Sequence, residues 1–224
     1  MIRFTSAAAL AAGLLMAAAA HAQIAVTADA GTTGVGAHLV VPMESNLNGR
    51  FGGNYFKHNF SEKDGNVNYD LKGKLQTADI LFDYYPITGS PMRVTAGALY
   101  NGNDVSAQAK PNADGNYTIN GKTYKAADVG TLSGGVNYRK AAPYLGIGWG
   151  NPIKAASAWS FTADLGAFFQ GKPNATLTSI GCTTSSIVCN TLAVDVAAEK
   201  ASFRSDVAKY KTYPVARLGM AYRF

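Results

Sequence analysis

From Val215 to Phe224 the chain changes character at every residue. Ala216, Leu218, Met220, Tyr222 and Phe224 share one side of an extended strand, because successive side chains of such a strand point in opposite directions. Val215, Arg217, Gly219, Ala221 and Arg223 share the other. The first side is apolar and ends on two aromatics, while the second carries two arginines that need polar surroundings. A wall with lipid on one side and a polar interior on the other meets both demands, and that is the wall of a transmembrane β-barrel.

The alternation recurs along the chain. Val35, Ala37, Leu39 and Val41 oppose Gly34, Gly36 and His38, and Leu47, Gly49, Phe51, Gly53 and Tyr55 oppose Asn48, Arg50, Gly52, Asn54 and His58. Ala78, Ile80, Phe82 and Tyr84 oppose Asp79, Leu81 and Asp83, and Met92, Val94, Ala96, Ala98 and Tyr100 oppose Arg93, Thr95, Gly97 and Leu99. A fifth strand, from Gly134 to Gly150, changes phase partway, as a bulge near Ala141 to Pro143 would make it do. The sixth sets Trp159, Phe161, Ala163, Leu165, Ala167 and Phe169 against Ser160, Thr162, Asp164, Gly166 and Gln170. These rows exceed the ~5–6 residues of an average soluble strand and match the ~9–11 residues of a tilted membrane strand. A secreted soluble barrel or sandwich would turn the same apolar face inward. The aromatics at strand ends, among them Tyr84, Tyr85, Trp149 and Trp159, and the terminal Phe224 point instead to interfacial girdles.

The other end of the chain supplies the compartment. Arg3 precedes an apolar run from Ala7 to Ala20, followed by Ala20-His21-Ala22 ahead of Gln23, the pattern of a secretory signal cleaved after Ala22. Residues 1–22 are therefore expected to be a signal peptide and residues 23–224 the barrel domain. No later stretch is apolar enough for a membrane helix, so only a closed barrel could span a bilayer. The 24 glycines, 12 tyrosines and 10 phenylalanines, with 15% charged residues, suit strands and turns. The net charge of +6 is mild and scattered, unlike the clustered basic face that nucleic-acid binding needs.

The signal sequence, the turn Tyr84-Tyr85-Pro86-Ile87-Thr88-Gly89-Ser90, the segment Ala142-Pro143-Tyr144-Leu145-Gly146-Ile147-Gly148-Trp149-Gly150 and the ending Gly219-Met220-Ala221-Tyr222-Arg223-Phe224 together resemble the small outer-membrane β-barrel proteins of Gram-negative bacteria, the OmpA-like superfamily. The resemblance implies an all-β, antiparallel up-and-down transmembrane barrel in the outer membrane, in contact with its lipid. It also implies that Tyr222 and Phe224 act as the signal read by the barrel-assembly machinery. Termini on one side require an even strand count, and eight is expected, the eighth being Ile24 to Ala30 or part of Asn174 to Ile180. Short turns at Glu44–Asn46, Ile87–Ser90 and Asn151–Ser157 would face the periplasm, and the longer connections would face outward.

Two of those longer connections carry structure of their own. Asn120-Gly121 between Tyr117 and Tyr124 is a strong hairpin signal. From Thr191 to Lys211, Leu192, Val196, Phe203, Val207 and Tyr210 recur at helical spacing, which predicts one amphipathic helix over 191–211. That helix either plugs a barrel mouth or packs against the rim. Cys182 and Cys189 are the only cysteines and, in an exported chain, are expected to form a disulfide that pins the loop Gly181 to Asn190. No histidine or acidic cluster accompanies them, so no metal is expected there.

Strand parity sends His38, Arg50, Asp79, Asp83, Arg93, Asp164, Arg217 and Arg223 into the lumen. An eight-stranded barrel has an interior about wide enough to be filled by side chains, and charges confined there should pair. Asp83 with Arg93, across the Ile87–Ser90 turn, is the first pair to expect. A filled lumen argues against open diffusion and for a structural or surface-presenting role. A narrow lateral route for apolar molecules beside Gly146, Gly148 and Gly150 is the alternative. A lipid-modifying enzyme is the second, but beyond the signal region only His38 and His58 could serve as a base, and no H-x-S or G-x-S-x-G arrangement occurs. No catalytic residue and no cofactor is assigned.

Overall fold

The computed structural model describes residues 23–64 and 67–224, the side chains of residues 60–69 excepted. The signal segment, residues 1–22, lies outside the described residues. Eight strands close into an antiparallel barrel. In order around the wall they are β1 (Ala25–Gly31), β2 (Gly34–Glu44), β3 (Leu47–Asp64), β4 (Val67–Tyr84), β5 (Met92–Asn101), β10 (Ala141–Trp149), β11 (Trp159–Phe169) and β13 (Thr212–Arg223). Ladders β1 to β13 and β4 to β5 close the ring, so no wall strand keeps a free edge over this stretch. β1 is the eighth strand, and it brings the termini together, with Phe224 N donating to Ile24 O at 3.0 Å.

Parity holds around the barrel. Phe161 is 75% exposed, Leu218 72% and Leu165 62%, while their inward neighbours Thr162, Arg217 and Asp164 are buried. At the termini end Trp149, Trp159, Tyr222 and Phe224 form an exposed aromatic rim; Trp159 and Tyr222 stand 4.9 Å apart and Tyr222 and Phe224 5.0 Å. Tyr55, Tyr100 and Phe169 mark the far end. Met92 to Tyr100 spans eight residue steps, ~27 Å along the strand and ~21 Å along an axis tilted by ~40°, close to the ~25 Å apolar band of membrane barrels. Among the described residues no helix is long and apolar enough to cross a membrane.

Beyond the far rim the wall continues as a second sheet. β3 and β4 are eighteen residues each, and the Val67 half of β4 leaves the barrel to pair with β6 (Asp104–Lys110). β6 pairs with β9 (Thr131–Asn137), and β9 with β12 (Asn174–Ile180). The expected bulged strand from Gly134 to Gly150 is therefore two strands. β9 belongs to the outer sheet and β10 to the barrel, and the phase change falls between them at Tyr138 to Lys140. Asn120-Gly121 makes the expected hairpin turn between β7 (Asn116–Ile119) and β8 (Lys122–Lys125); both turn residues have positive φ, 50° and 72°.

A short helix α1 (Ala126–Val129) and a long helix α2 (Ser186–Val207) complete this module. α2 begins five residues before the predicted 191 and ends before 211. It plugs no mouth; Leu192 and Val196 pack with Ala109, Tyr117, Ile119, Val129 and Leu132 against the outer sheet. Cys182 and Cys189 are bonded and tie the end of β12 to the first turn of α2, so Cys189 is helical rather than part of a loop. Asp195 anchors the hairpin to the helix, accepting from the Tyr124 hydroxyl, from Asn120 Nδ2 at 3.0 Å and from Lys122 Nζ at 3.0 Å. The Tyr124, Asn120 and Lys122 donors together hold its carboxyl down at about 2, and the same contact raises the Tyr124 phenol.

Candidate functional site: the charged lumen

Inward parity delivers charge from opposite walls to one level of the barrel. Arg50 on β3 and Asp164 on β11 are four strands apart in a ring of eight, so they face each other across its full width. Arg50 spans the gap: Nη1 donates to Asp164 at 2.8 Å, and Nη2 to Asp164 at 3.0 Å and to Asp83 at 3.2 Å. The forked guanidinium makes this possible, since it offers two parallel donors to one carboxylate and a further edge to another. Arg93 reaches Asp164 at 2.8 Å and Asp83 at 3.4 Å, and Thr95 donates to Asp83 at 2.7 Å. The pair expected first, Asp83 with Arg93, is thus in contact, but Asp164 is the closer partner of both arginines.

A second group lies beside the first. His38 Nδ1 is 2.7 Å from Asp29, and Nε2 is 3.2 Å from Asp79. A ring donating from both nitrogens is an imidazolium. Arg217 reaches Asp79 at 3.4 Å and Thr33 Oγ1 at 3.0 Å, and Asn54 donates to Asp29 at 2.7 Å. Four carboxylates, Asp29, Asp79, Asp83 and Asp164, meet three guanidiniums, and His38 in its protonated form supplies the fourth positive charge. The network is then neutral. That matters because each unpaired ion in such a place is opposed by several kcal/mol of desolvation.

Arg223 does not join this network. Its strand parity is inward, but it stands at the last turn of β13, where the wall ends. Its guanidinium donates to the carbonyls of Ile153 at 2.9 Å and Ala155 at 3.0 Å, fastening the connection between β10 and β11 under the barrel. Asp29, by contrast, is a member that the sequence reading missed. The signal was present, since Ala25, Thr27 and Asp29 alternate with Val26, Ala28 and Ala30, but β1 was only one of two choices for the eighth strand.

The rest of the lumen mixes apolar side chains with uncharged polar ones, among them Asn48, Thr77, Asn101 and Gln170. Toward the far end Leu81, Leu99, Ala142, Tyr144, Phe168 and Val215 form a buried cluster, and at the termini end Ile153 packs with Ala25 and Val40. Two glycines of β10 are backed by side chains of the lumen. A Cβ on Gly148 would meet Arg93 Nε at 2.8 Å, and one on Gly146 or on its cross-strand partner Gly166 would meet the Tyr144 hydroxyl at 2.6 Å. The missing side chains are the room that the Arg93 guanidinium and the Tyr144 ring occupy. Both nitrogens of His38 are engaged by carboxylates rather than by a hydroxyl nucleophile. Among the described residues no group of three or more His, Cys, Asp or Glu side chains is arranged to hold a metal ion.

No family model matches this chain, and no curated protein matches it. Solved structures do. CarO2 of Acinetobacter baumannii is 22% identical, with a TM-score of 0.56 over 90% of this chain and 98% of that one. CarO of Acinetobacter baumannii is 23% identical, with a TM-score of 0.53 over 89% of this chain and 97% of that one. The likeness extends over nearly the whole of each chain. The likeness is one of fold: this chain has the closed antiparallel β-barrel fold of these two proteins.

Proposed function

We propose that the chain is an integral outer-membrane protein whose barrel is a sealed anchor and whose working surface is the module beyond the far rim. The observation that carries this reading is the Arg50 bridge to Asp83 and Asp164, which crosses the whole width of the lumen within hydrogen-bonding distance. A solute would have to break it and separate buried ions to pass. In this reading the protein is not an enzyme. The termini lie in the periplasm, the module faces outward, residues 1–22 are the export signal, and Tyr222 with Phe224 is the ending read by the assembly machinery. Support for that sidedness comes from the short connections at the termini end and from the two long, structured connections at the other, β5 to β10 and β11 to β13, the usual asymmetry of such barrels. Planar bilayers containing the purified, folded protein test the sealed lumen. No steady unit conductance is expected, and a reproducible one would refute it.

A further inference from the structure

The long helix sits unevenly on the outer sheet. In its first half Leu192 and Val196 are buried, whereas in its second half Phe203 and Val207 are only half-buried and stand off from the strands. Between them lies a cavity of about 580 Å³, within the ~300–1,000 Å³ usual for small-molecule sites. Its floor follows from the ladder register. Leu71 of β4 pairs with Ala107 of β6, Ala107 with Gly134 of β9, and Gly134 with Leu177 of β12, so one row across four strands has two leucines at its ends and two very small residues at its centre. The row is a hollow. Val105 opposite Val136 continues it toward the barrel rim, where Tyr138 closes that side.

The roof differs in kind from the floor. Glu199, Ser202, Phe203, Asp206 and Val207 recur at steps of three and one, which is a single helix face, and that face lines the cavity. It sets two carboxylates two helical turns apart, ~10 Å along the axis, over an apolar floor, and no lysine or arginine is among the lining residues. Asp206 lies in the last turn of α2, where the free carbonyls of the helix end add further negative potential. Glu199 accepts from the Asn120 backbone amide at 2.8 Å and keeps its second oxygen available. Fatty acids and anionic lipid headgroups are repelled by this arrangement.

We infer that this cavity is a binding site for an organic ammonium compound with an apolar body, the body on the Ala107–Gly134 floor and the cation toward the acidic helix face that carries Glu199 and Asp206. The site belongs to the outward-facing module of the reading above and is separate from the lumen, so the two fail independently. Conductance tests the barrel; ligand binding tests the cavity.

The experiment uses the full folded chain in phosphatidylcholine nanodiscs, with empty discs as blank, and follows the Val105 and Leu177 methyl signals by NMR. Phenylbutylamine, phenylbutanol and phenylvalerate are titrated in turn. The amine is expected to shift both methyls and to bind at least about fivefold more tightly than the alcohol, as one favourable charge contact of ~1 kcal/mol gives, with the carboxylate weaker again. Glu199→Gln combined with Asp206→Asn, both solvent-accessible at the cavity's roof, should bring the amine down to the level of the alcohol. Ala107→Phe should abolish binding of all three by filling the floor. Equal binding of the three probes, undiminished amine binding in the double variant, or no methyl shift with any probe would overturn the proposal.

Discussion

Replacing Arg50 by alanine would show how much the lumen depends on its ion network. Arg50 is 4% exposed and makes three charge-assisted contacts, two with Asp164 and one with Asp83. Without it Asp164 keeps Arg93 and Asp83 keeps Thr95, so the two acids are not stranded, but the network carries one uncompensated negative charge across the barrel. Breaking one partner out of a buried pair costs ~3–5 kcal/mol, and the remaining contacts put this case near the lower end, ~3 kcal/mol. With a urea slope of ~1–3 kcal/mol/M, the unfolding midpoint in lipid vesicles should fall by about 1–3 M. Tryptophan fluorescence reads it directly, because Trp149 and Trp159 are both in the lipid-facing belt. The decisive arm is the double variant Arg50→Leu with Asp164→Leu, which removes one charge of each sign. It should recover most of the loss, since apolar replacement of a whole pair is often neutral or better. If the double variant is as unstable as the single, packing rather than charge balance holds the lumen and the reasoning fails.

Leu165→Arg places a cation on the lipid-facing side near the middle of β11 and should cost ~2–4 kcal/mol, read as a lower urea midpoint and poorer refolding into vesicles; a loss under ~1 kcal/mol would mean that this face meets water. Replacing Cys182 and Cys189 by serine should free the start of α2 with a loss of ~2–3 kcal/mol confined to the module. Limited proteolysis should then cut near residue 190 while the unboiled barrel keeps its gel mobility. The Asp195 carboxyl is depressed in the folded chain, so its contribution is fully present above its ordinary value near 3.8 and is lost as pH falls toward about 2. Hydrogen-exchange protection factors of α2 and the β7–β8 hairpin, corrected for the intrinsic rate at each pH, should therefore fall between pH 4 and pH 2 in the native chain and show less pH dependence in Asp195→Asn.

The barrel was legible because its period is two and its sides differ. Phe161, Leu165 and Leu218 against Asp164 and Arg217 can be sorted by counting alone. What counting does not reveal is the partner. Gly134 to Asn137 and Tyr144 to Trp149 alternate equally well, yet one run pairs with β6 and β12 outside the membrane and the other with β5 and β11 in the wall. Nor did it show how far β3 and β4 run, because from Ser61 to Asp70 only Val67 and Tyr69 interrupt a polar run. In the lumen, parity found seven of the charges that meet there, but distances depend on closure. Asp164 became the hub through lying opposite Arg50, a fact of strand number rather than of any local motif. Arg223 has inward parity and still misses, since the wall has ended by the time its side chain can turn.

The eighteen residues of β4 have a mechanical consequence. Its Val67 half carries Leu71 in the floor of the outer cavity, and its Tyr84 half carries Asp79 and Asp83 of the lumen network. Leu71 and Asp79 are eight steps apart, ~27 Å along one uninterrupted strand. That strand is flanked by β3 along its whole length and hands over from β6 to β5 between Lys74 and Thr77. The module is thus a cantilever rather than a tethered domain. It cannot tumble on a linker, it shows the surroundings one fixed aspect, and a torque on its sheet arrives at Asp79 through backbone hydrogen bonds instead of being dissipated in a hinge.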